Sequence, residues 1–340
     1  CNTLPRNHEI DKLPDFLSFA ASIGIDAFII CDLGVLEIAK KVAPNVDIHI
    51  STQTGVVNYA TARALYDMGA KRVVLARELS LEEITTIRAK TNPELEIETF
   101  VHGAMCVSFS GRCLISSYLT GRDANRGNCA QPCRWKYNLT EEKRKGEYFP
   151  VIEDEKGTYF FNSKDLCMIN HIPELLKAGI TSLKIEGRAK SAYYVAVTTN
   201  AYKNALNDYY KEKDNFKLKP WIQEEVYKVS HRKYCTGFYF GNEPEEVYES
   251  GGYEKNCDVV AVCDNYQNGI LQISQRNRFF DGDELEVLEP GSEPFKFKAE
   301  NITDEFGNKI TSAPHPMQKL FIPLDREVKV GAYIRKNSAN

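Results

Sequence analysis

Residues 98–135 read ETFVHGAMCVSFSGRCLISSYLTGRDANRGNCAQPCRW, and the rest of the chain can be interpreted as a scaffold for this stretch. Residues 97–101, at its start, have the β-branched and aromatic side chains that are typical of a strand. The Gly, Ser, Asn and Arg residues that follow cannot continue a strand, so we expect a loop to begin near His102. Four of the chain's ten cysteines lie in this loop.

The spacing of the cysteines limits what the loop can bind. Six residues separate Cys106 from Cys113, fifteen separate Cys113 from Cys129, three separate Cys129 from Cys133, and Cys167 follows in SKDLC. Four thiolates can hold an iron–sulfur cluster. A zinc site usually shows two short Cys-x-x-Cys-like pairs and this loop has one, so we favour a cluster and keep zinc as an alternative. A disulfide framework is disfavoured because a chain of 340 residues can build its own core.

The flanking sequence predicts a parallel α/β layer. Four strand-like runs recur at steps of about 20 to 25 residues, which is typical of repeated βα units, and helical patterns lie between them. A fifth run follows the cysteine loop and a predicted hairpin at residues 137–161. The five predicted parallel strands are residues 27–31, 47–51, 72–76, 96–101 and 182–186.

The last third of the chain has a different pattern. A predicted helix at residues 191–209 is followed by a charged stretch and a short helix near residues 221–230. From residue 258 onward, short strands alternate with Asn-Gly, Asp-Gly and Pro-Gly turns, which predicts a small β-barrel. We therefore expect three parts: residues 1–212 with the cysteine-rich loop 102–135, a helical and turn connector at 213–256, and the barrel at 257–340.

Composition and charge are those of a soluble globular protein, with 43% apolar and 26% charged residues. No apolar run is long enough to span a bilayer, so we expect a cytoplasmic protein with reduced thiols and no membrane partner. The net charge of −4 does not favour nucleic acid. Residues 106–145 are locally different, with eight Lys/Arg against three Asp/Glu, which is either a solvated surface or a phosphate-contacting patch.

Several motifs resemble those of one family, the collagenase-like peptidase family U32. They are E-x-F-x-x-G-A-M-C at residues 98–106, SGRCLIS at 110–116, SKDLC at 163–167 and SLKIEGRAKSAYYVA at 182–196. Within that family the chain is most similar to the prephenate-dependent proteins that form 5-hydroxyuridine at the wobble position of tRNA. The resemblance implies a 4Fe-4S cluster, prephenate as co-substrate, tRNA as partner and a homologous partner subunit. Related substrates in the family are cytidine of ribosomal RNA and ubiquinone precursors.

The resemblance also implies a fold. Family members resemble eight-stranded TIM-like (β/α) barrels followed by a small β-barrel. Only five barrel strands are predicted here, so we expect an α/β chain in which the barrel lacks its first three strands. Five strands cannot close a barrel of this kind, which would leave an exposed edge.

Working residues of such a barrel stand at the carboxyl ends of its strands. Those positions hold Asp32, Ser51, Thr52, Gln53, Arg77, Glu78, His102, Lys184, Glu186 and Arg188. From these we take His102, Glu78 and Glu186 as candidate catalytic residues. Arg77, Lys184, Arg188 and Gln53 are candidates for binding substrate, because a guanidinium matches the carboxylates of a prephenate-like donor. Structural hydrogen bonds and ion pairs are the alternative role for each of them.

The family pattern implies the metal ligands. Cys106, Cys113 and Cys129 follow it directly, and Cys167 completes the predicted set. Cys133 is the alternative fourth ligand, since it lies close to Cys129 in sequence. Cys235, Cys257 and Cys263 are expected to be ordinary buried thiols.

Together with the cysteine spacing, the resemblance implies an iron–sulfur RNA-modification enzyme that hydroxylates C5 of a tRNA uridine without molecular oxygen. A collagenase-like peptidase is one alternative, although the chain has no H-E-x-x-H or G-x-S-x-G motif. A metal-stabilised RNA-binding or scaffold protein is the other.

Overall fold

The computed structural model describes residues 1–106, 108–109, 113–135, 153–154, 157–158, 164–241 and 253–338. The chain divides into two compact units. The first is Cys1–Glu186 with Arg232–Gly252, and the second is Gly187–His231 with Tyr253–Asn340. This division groups the helix predicted at residues 191–209 with the C-terminal strands. The domain boundaries predicted from the sequence, at residues 212 and 256, stay a prediction.

The first unit is a sheet with helices between its strands. Its elements in chain order are α1 (Asn7–Ile10), α2 (Leu13–Ser22), β1 (Ala27–Ile30), α3 (Leu33–Val42), β2 (Asp47–Ile50), α4 (Tyr59–Asp67), β3 (Arg72–Val74), α5 (Leu81–Ala89), β4 (Glu96–Ala104), α6 (Ile115–Thr120), β5 (Glu153–Asp154), β6 (Gly157–Thr158), β7 (Asp165–Cys167), α7 (Ile172–Lys177), β8 (Ser182–Ile185) and β9 (Tyr234–Cys235).

The strand pairing confirms the five predicted parallel strands. β1, β2, β3 and β4 pair in that order, and β8 pairs in parallel with β4. Two further strands were missed: β7 lies antiparallel to the end of β4, and β9 lies parallel to β7. In the described parts of the chain the sheet does not close on itself, so a TIM-like barrel is not confirmed, and the architecture shown is a mixed α/β layer with a parallel sheet.

Each of the first three βα connections uses a short polar side chain to start its helix. Asp32 accepts a hydrogen bond from the Val35 N–H at the start of α3, and Asn58 does the same for Thr61 in α4. Ser80 forms a capping box with Glu83 in α5. These caps satisfy backbone N–H groups that have no partner within the helix, and so they mark where each helix begins.

The prediction that a loop begins near His102 was wrong, because β4 continues to Ala104. Beyond Phe100 its register with β8 shifts, and β7 then pairs with residues 102–104. Gly103 permits this extension with a φ of +115°, and a Cβ at this position would lie 2.4 Å from the Glu186 carbonyl oxygen. Only glycine fits such a close approach of two backbones.

Most of the hairpin predicted at residues 137–161 lies outside the described residues. The described part is one antiparallel pair, in which Glu153–Asp154 faces Gly157–Thr158.

The second unit combines two helices with an antiparallel sheet. Its elements are α8 (Ala192–Glu212), α9 (Pro220–Glu225), β10 (Cys257–Gln267), β11 (Ile270–Gln275), β12 (Phe279–Phe280), β13 (Glu284–Leu288), β14 (Phe295–Lys298), β15 (Thr303–Asp304), β16 (Ser312–Ala313), β17 (Lys319–Pro323) and β18 (Tyr333–Asn337).

The predicted strand-and-turn pattern of this unit is confirmed. Seven strands pair in the order β14, β13, β18, β10, β11, β17, β15, and β12 pairs separately with β16. The sheet curves around a core that includes Phe279, Leu285 and Ile334, all fully buried. It is a half-barrel sheet as far as the described pairs show. Cys257 and Cys263 are buried as predicted, whereas Cys235, in the first unit, is half-buried.

The described ranges contain no helix that is both long enough and apolar enough to cross a membrane.

Candidate cysteine site

Three of the polar residues at the strand ends have structural hydrogen bonds. Asp32 caps α3, and the Ser51 hydroxyl accepts a hydrogen bond from the Gln53 N–H. The Thr52 hydroxyl donates to the Leu75 carbonyl at 3.1 Å, which links the ends of β2 and β3. These residues therefore shape the end of the sheet.

Gln53 connects that end of the sheet to the cysteine loop. Its side-chain amide donates to the Asn125 carbonyl at 3.1 Å, and the Asn125 amide donates in turn to the Cys113 carbonyl at 3.1 Å. Asp123 accepts a hydrogen bond from the Asn125 N–H at 2.9 Å, which fixes the turn. Gln53 was predicted to bind substrate, and in this structure its amide holds the loop. Asn125 was not predicted, although the Asp-x-Asn turn signal was visible in the sequence.

The loop around Cys129 is also held by its own hydrogen bonds. The fully buried Ser116 hydroxyl accepts from the Ala130 N–H at 3.0 Å, and Arg122 donates to both oxygens of Asn128 at 3.1 Å. The Gln131 N–H donates to the Cys129 sulfur at 3.3 Å. Hydrogen bonds of this last kind stabilise a thiolate.

Cys113 and Cys129 both act electrostatically on the Cys106 thiol. Loss of hydration raises the pKa of the Cys106 thiol, although part of the residue is exposed. Cys113 and Cys129 raise this pKa further. The Arg77 guanidinium opposes this effect. Two other cysteines and one arginine, Arg77, which follows β3, thus influence the same thiol.

Arg77 is a largely enclosed cation beside Phe100 and Glu186. Its side chain is 14% exposed, and its guanidinium lies 3.8 Å from the centre of the Phe100 ring and 3.7 Å from the Glu186 carboxylate. Burial lowers the pKa of Arg77, and the charges of Glu186 and Cys106 act against this shift. The predicted pairing of an arginine with a carboxylate at this end of the sheet is present. Phe100 was not predicted to belong to this site, although it lies two residues after Glu98 and therefore on the same face of β4.

His102 and Cys167 lie opposite each other on neighbouring strands. The pairing of β4 with β7 places them in register, so the fold brings the SKDLC cysteine back to the end of β4, four residues before Cys106. His102 is fully buried, and its Nε2 lies 3.5 Å from the Tyr234 hydroxyl. Tyr234 was not predicted, because β9 joins this sheet from a distant part of the chain.

Lys184 is already engaged in an ion pair. Its Nζ lies 2.8 Å from Glu98, whose carboxylate also accepts hydrogen bonds from Arg72 at 2.9 Å and Ser182 at 2.8 Å. Burial alone would raise the pKa of Glu98, but these hydrogen bonds keep it below its usual value. Glu98 was overlooked because it precedes the end of its strand.

The remaining candidates are placed as follows. Glu78 follows Arg77 and is half-buried, and Glu186 donates its backbone N–H to the His102 carbonyl at 2.8 Å. Arg188 is exposed and belongs to the second unit. Cys133 is half-buried in a short 3-10 helix, Pro132–Arg134.

The donor set has the chemistry that a soft metal or an iron–sulfur cluster requires. No disulfide joins any of the ten cysteines, all of which lie at described positions, so thiol groups remain in this region. Among the described side chains, however, no three Cys, His, Asp or Glu residues are already arranged around a metal position. The residue types fit a cluster, and a ready-made coordination shell is not part of the described structure.

Comparison with known proteins gives consistent matches over both units. A family model described as peptidase family U32 matches residues 1–249, and one described as the peptidase family U32 C-terminal domain matches residues 255–335. The chain is 36% identical to tRNA hydroxylation protein P1 of Bacillus subtilis, over 98% of this chain and 80% of that protein.

Two further relatives carry different names. An uncharacterized protease of Methanocaldococcus jannaschii is 46% identical over 70% of this chain and 58% of its own length. The 23S rRNA 5-hydroxycytidine C2501 synthase of Escherichia coli is 36% identical over 62% of this chain and 31% of its own length.

Proposed function

Because this chain belongs to peptidase family U32, we propose that it is an iron–sulfur enzyme that hydroxylates C5 of a tRNA uridine, without molecular oxygen and with prephenate as co-substrate. The matched family models together cover nearly the whole chain. A substrate in RNA is supported by two relatives whose names refer to hydroxylation of tRNA or of ribosomal RNA. The tRNA relative aligns over 98% of this chain and the rRNA relative over 62%, which favours tRNA.

The observation that carries the proposal is the strand pairing that brings Cys167 opposite His102, four residues before Cys106. The charges of Cys113, Cys129 and Arg77 also act on the Cys106 thiol. We propose Cys106, Cys113, Cys129 and Cys167 as the ligands of a 4Fe-4S cluster, with Cys133 as the alternative fourth ligand. The pairing of Cys167 with His102 favours Cys167, since the sheet itself brings it to this end.

The chain's own residues suit the recognition of a carboxylated co-substrate. Arg77 is enclosed, so its guanidinium can form hydrogen bonds that water does not weaken, and Phe100 keeps it in one orientation. Glu186 lies at 3.7 Å, which is longer than a tight ion pair. We propose that an incoming carboxylate binds Arg77, while His102, Glu186 and Glu78 hold or move protons at the substrate. A bound cluster would supply redox or Lewis-acid chemistry.

The same reasoning extends to fold and location. We propose that the parallel strands and their helices form part of a TIM-like (β/α) barrel and that the C-terminal half-barrel sheet is part of a small β-barrel. A tRNA substrate is consistent with a cytoplasmic protein, and a homologous partner subunit stays a prediction.

The proposed function is tested by mass spectrometry of tRNA nucleosides from a strain that lacks the gene. We expect 5-hydroxyuridine derivatives to fall in the deletion strain, to return with the complete gene, and to stay low with a gene that carries Cys113→Ala. As a matched control, Cys263→Ala alters a buried thiol of the second unit and should restore the modification. Unchanged derivatives in a deletion strain without a redundant pathway would contradict the proposal.

The peptidase alternative is favoured by one observation, the 46% identity to a relative named as a protease. We expect the purified chain to leave gelatin intact. If the Cys113→Ala and Cys129→Ala variants still hydrolyse gelatin, a peptidase would be the better supported function.

A further inference from the structure

The second unit carries a cationic ribbon on its surface, which we define as residues 274–280 and 311–319. These two segments read SQRNRFF and TSAPHPMQK, with three Lys or Arg residues and no Asp or Glu. Three acidic residues border the ribbon: Asp264 accepts a hydrogen bond from the Ser274 hydroxyl, the Asp281 N–H donates to the Thr311 carbonyl, and Asp283 accepts from the Phe280 N–H and pairs with Lys336 at 3.2 Å. The ribbon with this border therefore carries four cations and three carboxylates, whereas the whole chain has a net charge of −4. The ribbon was not singled out by the sequence pattern, because its two halves are more than thirty residues apart.

Strand pairing makes the two segments one continuous surface. Phe279 pairs with Ala313 and Phe280 with Ser312, and the Met317 N–H donates to the Gln275 carbonyl at 2.9 Å. These contacts run along the full length of both segments. The three cations are therefore carried by two segments that are hydrogen-bonded to each other.

The cationic ribbon exposes both charged and apolar side chains to solvent. Phe279 is fully buried, and its neighbours Arg278 and Phe280 are exposed. The Phe280 ring is 47% exposed, and Met317 is 61% exposed. One exposed aromatic ring beside cations can serve RNA binding, because a base can stack on the ring while phosphates contact the cations.

Arg278 and Lys319 form no ion pair with any residue that the structure describes, in contrast to other exposed lysines of the same unit. Lys296 and Lys298 lie 2.7 Å from Glu284 and Glu300, so their charges are largely neutralised. Arg276 is different again, since its guanidinium contacts the Met317 sulfur at 2.7 Å and backbone carbonyls. Arg278 and Lys319 are thus the members of the ribbon whose charge is available to a partner.

We propose that the cationic ribbon binds the phosphate backbone of the RNA substrate. This inference rests on the proposed function, because it takes RNA as the partner, and it adds a contact surface in the second unit. Phosphate contacts position an RNA without reading its sequence, so the ribbon would contribute affinity, whereas the choice of uridine would belong to other residues.

The test is equilibrium binding of the full chain, prepared without oxygen, to a fluorescein-labelled tRNA transcript at several salt concentrations. For Arg278→Gln with Lys319→Gln, we expect about tenfold weaker binding and a slope of log affinity against log salt that is smaller by about 1.5. The matched control, Lys296→Gln with Lys298→Gln, removes two exposed lysines that already have carboxylate partners. It should bind like the wild type.

Each outcome has a defined meaning. Equal binding by the wild type and the Arg278/Lys319 variant would overturn the ribbon proposal and leave the proposed function intact. Equal losses in both variants would also overturn it, because the effect would then reflect total charge. If the wild type binds no tRNA but does bind an acidic protein through these residues, the proposal that the ribbon binds RNA is overturned. In that case the nucleoside measurement decides separately whether the enzyme acts on tRNA. Circular dichroism of each variant checks that the fold is retained.

Discussion

Glu98 gathers the polar side chains on one face of the parallel sheet. Arg72, Ser182 and Lys184 all donate to its carboxylate, which is 9% exposed. A buried carboxylate is stable only when such partners compensate for its lost hydration. The hydrogen bonds to Glu98 therefore fix the relative positions of β3, β4 and β8, the strands that precede the candidate site.

Glu98→Gln should lower the free energy of unfolding by about 2 kcal/mol at pH 7, because two cations lose their shared partner while remaining partly hydrated. Glu96→Gln is a matched control: Glu96 also pairs with Arg72 but is 35% exposed, so we expect a loss below about 1 kcal/mol. Urea unfolding measures both.

The same pair of variants has a predicted pH dependence. The folded pKa of Glu98 lies below its usual value, so its stabilisation is present above the unfolded pKa and is lost as pH falls through the folded pKa. The difference between wild type and Glu98→Gln should therefore shrink under acid conditions. A difference that grows as pH falls would show that Glu98 is not ionised in the folded protein.

Gln53 gives a second prediction at the residue scale. Gln53→Ala removes the hydrogen bond to Asn125, and a net loss of about 1 kcal/mol should speed alkylation of Cys113 by iodoacetamide about fivefold in the metal-free protein. Thr52→Val removes a hydrogen bond at the adjacent position that does not reach the loop, and should leave the rate unchanged. Equal rates for wild type and Gln53→Ala, measured by mass spectrometry, would mean that Gln53 does not hold the loop.

Residue types could be predicted better than their partners. The cysteines, Arg77 and Glu186 were identifiable because they end strands or fit a family motif. Glu98, Phe100, Asn125 and Tyr234 were not, because their roles depend on contacts between segments up to 132 residues apart, as for Tyr234 and His102. Sequence periodicity places a side chain on a face, but only tertiary pairing shows what it meets.

At the scale of elements, β4 is the strand on which the site depends. Residues 96–98 pair with β3, residues 98–102 pair with β8, and the last three residues pair with β7. The register shift after Phe100 allows one strand to serve both neighbours. Periodicity predicted the parallel strands and their helices, but not this extension or β7, because both result from pairing over a long sequence separation.

Gly103→Ala tests the importance of the extension. The new Cβ would lie 2.4 Å from the Glu186 carbonyl at a φ of +115°, so we expect a loss of about 3 kcal/mol or more in the free energy of unfolding. Gly121→Ala is the control, because Gly121 also has a positive φ, +70°, but no atom lies within 4 Å of its added Cβ. There we expect about 1 kcal/mol. Similar losses in the two variants, measured by urea unfolding, would argue against a tightly packed contact at Gly103.

At the scale of the whole molecule, the two units carry different chemistry. The first holds the cysteines and the enclosed arginine, whereas the second holds the cationic ribbon and a buried ion network in which Arg335 is fully buried against Glu225 and Glu286. The net charge of −4 does not reveal this difference, because it sums over all residues, whereas a partner meets only the charges on one surface. Composition alone therefore argued against an RNA partner more strongly than the surface does.

The central claim is that cysteines from the loop and from β7 hold one iron–sulfur cluster. The most direct measurement is the iron and acid-labile sulfide content of the full chain purified without oxygen, compared with its Cys129→Ala, Cys133→Ala, Cys167→Ala and Cys263→Ala variants. We predict about four irons and four sulfides per chain in the wild type and in the Cys133 and Cys263 variants, and a strong loss in the Cys129 and Cys167 variants. Loss with Cys133→Ala instead of Cys167→Ala would reassign the fourth ligand. Stoichiometric zinc without sulfide, or iron that is unaffected by Cys129→Ala, would contradict the claim.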